Sequence, residues 1–173
     1  ILYSSDYELA YVVPAGIVGP VRMPEAVTII PGGFFSECKN LKGVIFHDKI
    51  TAIGDSAFAN TALTSAEMQN VTAIGAGAFA NTALTSAEIQ NVTAIGAGAF
   101  EGSALERVQL NTAASVGERA FANTKLTKMV IPTAGSFPLS AVEGTSAELR
   151  LPADATDEQL AAWNETLQRP WYD

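Results

Sequence analysis

The chain has 173 residues, with 18 acidic and 10 basic side chains, one cysteine and one histidine. Its formal net charge of −8 excludes a protein that holds nucleic acid by bulk electrostatics. The single cysteine excludes an internal disulfide framework and a cysteine-clustered metal site, and the single histidine excludes multi-histidine zinc chemistry. We expect neither a metal nor a cofactor. No run approaches the roughly 20 apolar residues that a membrane-spanning helix needs.

An internal repeat of 21 residues dominates the sequence. Residues 59–79 and 80–100 are identical except that Met68 is replaced by Ile89. Equivalent residues recur outside these two blocks as evenly spaced columns. The columns are Ile53, Ile74, Ile95 and Val116; Gly54, Gly75, Gly96 and Gly117; Phe58, Phe79, Phe100 and Phe121; and Leu63, Leu84, Leu105 and Leu126. One short coil cannot bury such side chains alone, so the columns predict a solenoid of stacked coils.

Each coil contains two apolar residues separated by one residue, which indicates a short strand. In chain order the pairs are Val21/Met23, Val44/Phe46, Ala66/Met68, Ala87/Ile89, Val108/Leu110, Met129/Ile131 and Leu149/Leu151. They predict a parallel sheet of about seven short strands. The return leg, T-A-I-G-A-G-A-F in the central coils, has too much glycine for a regular helix. We predict an extended segment or a single 3₁₀ turn there.

The end of the chain departs from the repeat. The run T-D-E-Q from Thr156 to Gln159 is a capping-box pattern, and Leu160, Trp163 and Leu167 share one face of the helix that would follow. We therefore predict an amphipathic C-terminal helix that covers the last coil. Most of the net negative charge lies in residues 134–173, which indicates an acidic cap on a nearly neutral array.

The repeated segments resemble the BspA-type leucine-rich repeat, with consensus L-T-S-V-x-I-P-x-S-V-T-x-I-G-x-x-A-F-x-x-C-x-x-L. Cys38, in F-S-E-C-K-N-L, occupies the cysteine position of that family, and residues 1–16 resemble the hairpin that often precedes such repeats, with Asp6 in its turn. The segments that match through I-G-x-x-A-F or V-G-x-x-A-F are 41–58, 63–79, 84–100 and 105–121. The resemblance implies an α/β-type, right-handed leucine-rich solenoid. Its parts would be an N-terminal hairpin over 1–17, repeats of about 21–23 residues over 18–133, and a final strand with a helical cap over 134–173.

The side chains that alternate with the buried pairs are expected to line the concave side of the sheet, and we call them the concave face. They form three ladders: Gly43, Ser65, Ser86, Arg107 and Lys128; Ile45, Glu67, Glu88, Gln109 and Val130; and His47, Gln69, Gln90, Asn111 and Pro132. The centre is polar and mildly acidic, and the later coils are basic. We predict recognition of a protein or glycan by Ser65, Glu67, Gln69, Ser86, Glu88, Gln90, Arg107, Gln109, Asn111 and Lys128. The alternative is that these residues only keep the sheet soluble.

No catalytic residue is predicted. His47 and Asp48 are adjacent, and adjacent strand residues point to opposite sides, which favours an exposed histidine at a strand edge over a catalytic base. Glu67 and Glu88 would lie about 5 Å apart, a spacing seen in retaining glycosidases and compatible with a weak cation site. Every acidic ladder in a solenoid shares that spacing, so it carries little weight. Cys38 is expected to be a buried core thiol, and Asn70 and Asn91, although in N-x-T sequons, are expected to serve the turns.

The resemblance implies a non-catalytic binding module of a secreted or surface-anchored protein of host-associated bacteria. Its expected partners are host matrix, mucosal or bacterial surface proteins or glycans. Two alternatives remain: an architectural spacer that projects another domain, and a glycan-processing enzyme. We expect a monomer. Because the sequence begins at Ile1 rather than with a methionine and a signal peptide, we expect a trimmed piece of a longer precursor.

Overall fold

The computed structural model describes residues 2–3, 10–12, 16–110, 114–130, 137–150 and 156. In chain order its strands are β1 (Leu2–Tyr3), β2 (Ala10–Val12), β3 (Pro20–Arg22), β4 (Ile29–Ile30), β5 (Gly43–Ile45), β6 (Ala52–Ile53), β7 (Ser65–Ala66), β8 (Ala73–Ile74), β9 (Ser86–Ile89), β10 (Ala94–Ile95), β11 (Arg107–Leu110), β12 (Ser115–Val116), β13 (Lys128–Val130) and β14 (Glu148–Arg150). A 3₁₀ helix spans Leu139–Val142. Among these residues no helix has the length and apolarity needed to span a membrane.

The two ends of the chain were predicted to carry caps. Strands β1 and β2 pair antiparallel, which agrees with the predicted N-terminal hairpin. Asp6, predicted in the hairpin turn, and the predicted helix after Thr156 lie outside the described residues.

The predicted parallel sheet of about seven short strands is confirmed. Its strands are parallel and are hydrogen-bonded in the groups β3-β5-β7, β9-β11 and β13-β14. A bridge between Glu67 and Glu88 joins β7 to β9, and β11 lies beside β13. Side chains alternate along these strands: in β9, Ala87 and Ile89 face inward, and Ser86 and Glu88 are exposed.

The return legs are extended, which was one of the two predicted conformations. They also form a second parallel sheet, in the order β12-β10-β8-β6-β4, which the sequence analysis did not predict. Threonines that precede two of these strands link the coils further: the Thr72 hydroxyl donates to the Thr51 carbonyl at 3.2 Å, and the Thr93 hydroxyl donates to the Thr72 carbonyl at 3.3 Å.

The segment between the return strand and the Leu column is a series of tight turns. In the coil that contains Phe79, the amides of Gly77, Phe79 and Asn81 donate to carbonyls of the next coil at 2.9, 2.7 and 2.8 Å. Gly77 and Asn81 adopt left-handed backbone angles, with φ of 60° and 54°. Glycine and asparagine tolerate that region best. Alternate amides thus bond between coils rather than along the chain, which is why no α-helix forms here.

Close stacking explains the column of glycines after the return strands. A Cβ placed on Gly96 would lie 2.4 Å from the Ala76 nitrogen, and one on Gly117 would lie 2.5 Å from the Ala97 nitrogen. Both distances are far shorter than van der Waals contact. Only glycine therefore permits the observed spacing of the coils at this column.

Continuous columns of side chains fill the interior. The rings of Phe35, Phe58, Phe79, Phe100 and Phe121 stack with centroid separations of 5.1 to 5.4 Å. All five are fully buried, and burial of each stabilises the fold by about 1.5–3 kcal/mol. Such a stack requires phenylalanine at the same position of every coil. The repeat in the sequence therefore reflects the packing of the core.

A second, polar column lies three residues after the phenylalanines. The buried hydroxyls of Thr61, Thr82 and Thr124 donate to the carbonyls of the phenylalanines three residues earlier, at 2.8–2.9 Å. In the first coil Cys38 occupies this position. Ser103 takes it in a later coil, and its buried Oγ has no hydrogen-bond partner among the residues that the structure describes.

Candidate functional site

The concave face is positioned by strand register. Ser86 lies opposite Arg107, and Glu88 lies opposite Gln109, on adjacent parallel strands. The residues between them on each strand point into the core, so these side chains project to solvent. The predicted binding residues that the structure describes are all exposed: Ser65, Glu67, Gln69, Ser86, Glu88, Gln90, Arg107, Gln109 and Lys128. Asn111 lies outside the described residues.

The centre of the concave face is built from the two nearly identical coils. Glu67 and Glu88 pair in direct register, and their side chains line a shallow cavity of about 220 Å³ together with Ser65, Gln69 and Ser86. The structure thus brings half of the predicted binding residues to one depression. Both carboxylates are exposed, so no difference in burial separates a general acid from a general base.

A second depression adjoins the first at the ends of the strands. Gln69, Glu88, Gln90 and Asn91 line a cavity of about 240 Å³. The Asn91 side-chain amide donates to the Gln69 backbone carbonyl at 2.6 Å, which links this coil to the coil before it. Asn70 does the same toward the Asp48 carbonyl at 3.0 Å. The predicted turn role of these two asparagines is confirmed.

The basic end of the concave face includes Arg150, which was not predicted from the sequence. Arg107, Lys128 and Arg150 line a cavity of about 360 Å³ over Val108, Met129 and Val130. Arg150 lies opposite Val130 in the register of β13 with β14 and therefore extends the second ladder. The pair Leu149/Leu151 could have indicated this, because its intervening residue must face the same way as Val130.

The predicted exposure of His47 is wrong. Its side chain is only 8% exposed, and its Nε2 lies 2.7 Å from the Pro24 carbonyl oxygen, to which it can donate. Strand β5 ends at Ile45, so the strand alternation that was used to separate His47 from Asp48 no longer applies.

His47, Asp48 and Glu25 bring one nitrogen and two carboxylate oxygens within 4.8 Å of one another. The Lys49 ammonium group lies 3.3 Å from a Glu25 carboxylate oxygen, and the Lys49 amide donates to His47 Nδ1 at 3.3 Å. Lys49 therefore engages two of the three groups of this cluster, the Glu25 carboxylate and His47 Nδ1.

The predicted burial of Cys38 is confirmed, since the residue is 2% exposed. Burial raises the pKa of the Cys38 thiol, because a thiolate is poorly solvated there. A buried thiol with a raised pKa is a poor nucleophile. Cys38 therefore serves the core rather than chemistry.

Comparison with known proteins agrees with this architecture. A family model described as the BspA type leucine rich repeat region matches residues 18–128 in six copies. The chain is also similar to the crystal structure of a leucine rich cell surface protein from Faecalibacterium prausnitzii A2-165, with 20% identity and a TM-score of 0.42. That match covers 86% of this chain and 63% of the other, so the chain spans less than two thirds of its length. No curated protein matches the chain significantly.

Proposed function

The chain belongs to the BspA-type leucine-rich repeat family, and from this premise we propose that it is a non-catalytic module that binds a partner through its concave face. The partner would be a host or bacterial surface protein or glycan. The module would belong to a secreted or cell-surface-anchored protein of a host-associated bacterium and act in adhesion.

One contrast between the two sides of the solenoid carries the proposal. Several polar side chains of the return legs and turns are engaged within the array: the Thr72 hydroxyl donates to the Thr51 carbonyl, and the Asn81 side-chain amide donates to Asn60 Oδ1 at 3.1 Å. Side chains at the centre of the concave face make no hydrogen bond or ion pair among the described residues. They are Ser65, Glu67, Gln69, Ser86, Glu88 and Gln90.

Unengaged polar groups in shallow cavities suit recognition of a large partner. Amides and carboxylates of this kind form the hydrogen bonds that give an interface its specificity. They do not suit catalysis, which needs groups held in a fixed geometry by further contacts. Of the three functions considered, a binding module, an architectural spacer and a glycan-processing enzyme, the enzyme therefore has the least support.

Substitution of arginine for both Glu67 and Glu88 tests the proposal. The 173-residue chain would be assayed against immobilised matrix glycoproteins, mucins and bacterial surface extracts. We expect the double variant to bind at least about tenfold more weakly than the unmodified chain to whichever surface the latter binds. The control is Glu118→Arg, which changes an exposed carboxylate off the concave face.

An architectural spacer predicts a different result. Its surface has no partner, so both variants would behave like the unmodified chain, and the repeats would matter only through their length. Absence of binding by the unmodified chain to every tested surface would favour the spacer. Unchanged binding by the folded double variant, with its circular dichroism spectrum and melting temperature retained, would contradict recognition through the concave face.

A further inference from the structure

Three cations from three successive coils line one cavity at the C-terminal end of the concave face. Arg107 and Lys128 belong to β11 and β13, Arg150 belongs to β14, and the cavity has a volume of about 360 Å³. The chain has only 10 basic residues and a net charge of −8. Like charges on neighbouring strands repel one another, so stability does not explain their grouping.

Most of this positive charge is not neutralised by any residue that the structure describes. Lys128 has Glu148 as a partner, with Nζ 3.6 Å from a carboxylate oxygen. Arg107 and Arg150 have no carboxylate within 4.0 Å among residues 16–110, 114–130 and 137–150. Arg119, by contrast, is paired with both Glu101 and Glu143. Within the described part of the chain, nothing thus prevents the two guanidinium groups of the cavity from binding an external anion.

The floor of the cavity is aliphatic. Val108, Met129 and Val130 line it, and Val130 is 57% exposed although it is apolar. A sulfated sugar would bury less apolar area against this floor than an aliphatic side chain does, because its rings carry hydroxyl groups. An aliphatic side chain beside a carboxylate would satisfy both the floor and the cations.

We propose that this cavity binds an acidic segment of a partner protein, in which a carboxylate residue stands next to an aliphatic one. The inference rests on the proposed function, since it names the partner chemistry for one end of the same face. The guanidinium groups of Arg107 and Arg150 bind carboxylates through paired N–H donors, and the aliphatic neighbour covers Val130.

Calorimetric titration of the full chain with a defined peptide tests this inference. The probe is the acetylated and amidated peptide G-E-V-D-L-G, and its neutral counterpart G-Q-V-N-L-G is the matched ligand control. The test variant combines Arg107→Gln with Arg150→Gln. The matched control is Arg22→Gln. Arg22 is an exposed cation at the other end of the sheet, in the ladder that contains Arg150.

We expect the acidic peptide to bind and the double variant to lose about tenfold in affinity, as the removal of charge-assisted hydrogen bonds implies. Arg22→Gln should change affinity by less than about twofold, because Arg22 is not among the residues that line the cavity. Val130→Ser should weaken binding by about threefold through lost aliphatic contact.

Three outcomes would overturn the inference: equal effects of Arg22→Gln and the double variant, equal binding of the neutral peptide, or no binding of the acidic peptide. Binding of a heparin hexasaccharide in place of the peptide would also overturn it, in favour of a sulfated glycan. These failures are distinct from failure of the proposed function. If arginine at Glu67 and Glu88 abolishes surface binding while the cavity variant does not, the concave face stands and only this cavity is wrongly assigned.

Discussion

Glu67 and Glu88 lie directly opposite one another on neighbouring parallel strands at the centre of the concave face. Neither side chain has a basic partner within 4.0 Å among the described residues. Directly opposed like charges destabilise a sheet by a few tenths to about 1 kcal/mol. This repulsion supports the binding role that we propose for the concave face, because residues that oppose folding are found mainly at functional sites.

Neutralising one of these carboxylates should therefore stabilise the protein. We expect Glu88→Gln to raise the free energy of unfolding by about 0.2–1 kcal/mol in urea at low salt. The gain should shrink as salt screens the repulsion. Glu118→Gln, an exposed control off the sheet, should change little. A loss of stability in Glu88→Gln at low salt would show that Glu88 has a stabilising role that the structure does not reveal.

The close approach of the coils predicts opposite results at two glycines. Gly96→Ala would place a Cβ 2.4 Å from the Ala76 nitrogen, and backbone atoms must move to admit it. We expect this variant to lose about 1–3 kcal/mol of unfolding free energy, the usual cost of overpacking. Gly43→Ala is the matched control, because its nearest neighbour would be 3.7 Å away. Comparable melting temperatures for the two variants would contradict the close stacking.

The unpartnered hydroxyl of Ser103 offers a way to stabilise the chain. Ser103→Thr adds a buried methyl group and gives the hydroxyl the geometry that Thr82 uses to donate to Phe79. We expect about 1 kcal/mol of added stability by chemical denaturation. The reference variant Thr82→Ala should lose about as much, because its hydrogen bond is broken. A less stable Ser103→Thr would mean that the space around residue 103 cannot admit the methyl group.

Much of the fold was predictable because the core is periodic. The 21-residue spacing identifies the buried phenylalanines and leucines, and the strand pairs identify which residues face the concave side. Nine of the ten predicted binding residues are described and exposed for that reason. Periodicity reports which side chains are repeatedly buried, so the parts of the fold that depend only on burial followed from it.

Features that depend on stacking did not follow from the sequence. The second sheet forms because return legs such as Ala73–Ile74 and Ala94–Ile95 lie beside one another, and no single coil contains that information. His47 was misplaced because alternation was extended beyond the end of the strand at Ile45. Its ring packs against the Pro24 carbonyl of the preceding coil, a contact 23 residues away in the sequence. The second sheet and the position of His47 thus depend on contacts between coils, which the pattern within one coil does not predict.

The raised pKa of Cys38 predicts slow reaction with thiol reagents. At neutral pH the folded chain should react with Ellman's reagent far more slowly than the chain in guanidinium, because burial disfavours the reactive thiolate. The folded protein binds the Cys38 thiol proton more tightly than the unfolded chain does. The stabilisation that this proton gives the folded state is therefore present below about pH 8.5 and is lost as the pH rises above it. Fast labelling of the folded protein at neutral pH would contradict the buried thiol.

That inertness makes selective labelling possible, and selective labelling tests the central claim most directly. A polyethylene glycol chain would be attached to cysteine at Ser86→Cys on the concave face or at Ala97→Cys on an exposed turn of the return leg. Binding of both conjugates to the surface bound by the unmodified chain would then be compared by biolayer interferometry. We predict that the conjugate at residue 86 loses binding and the conjugate at residue 97 retains it. Equal binding by the two conjugates would contradict recognition through the concave face.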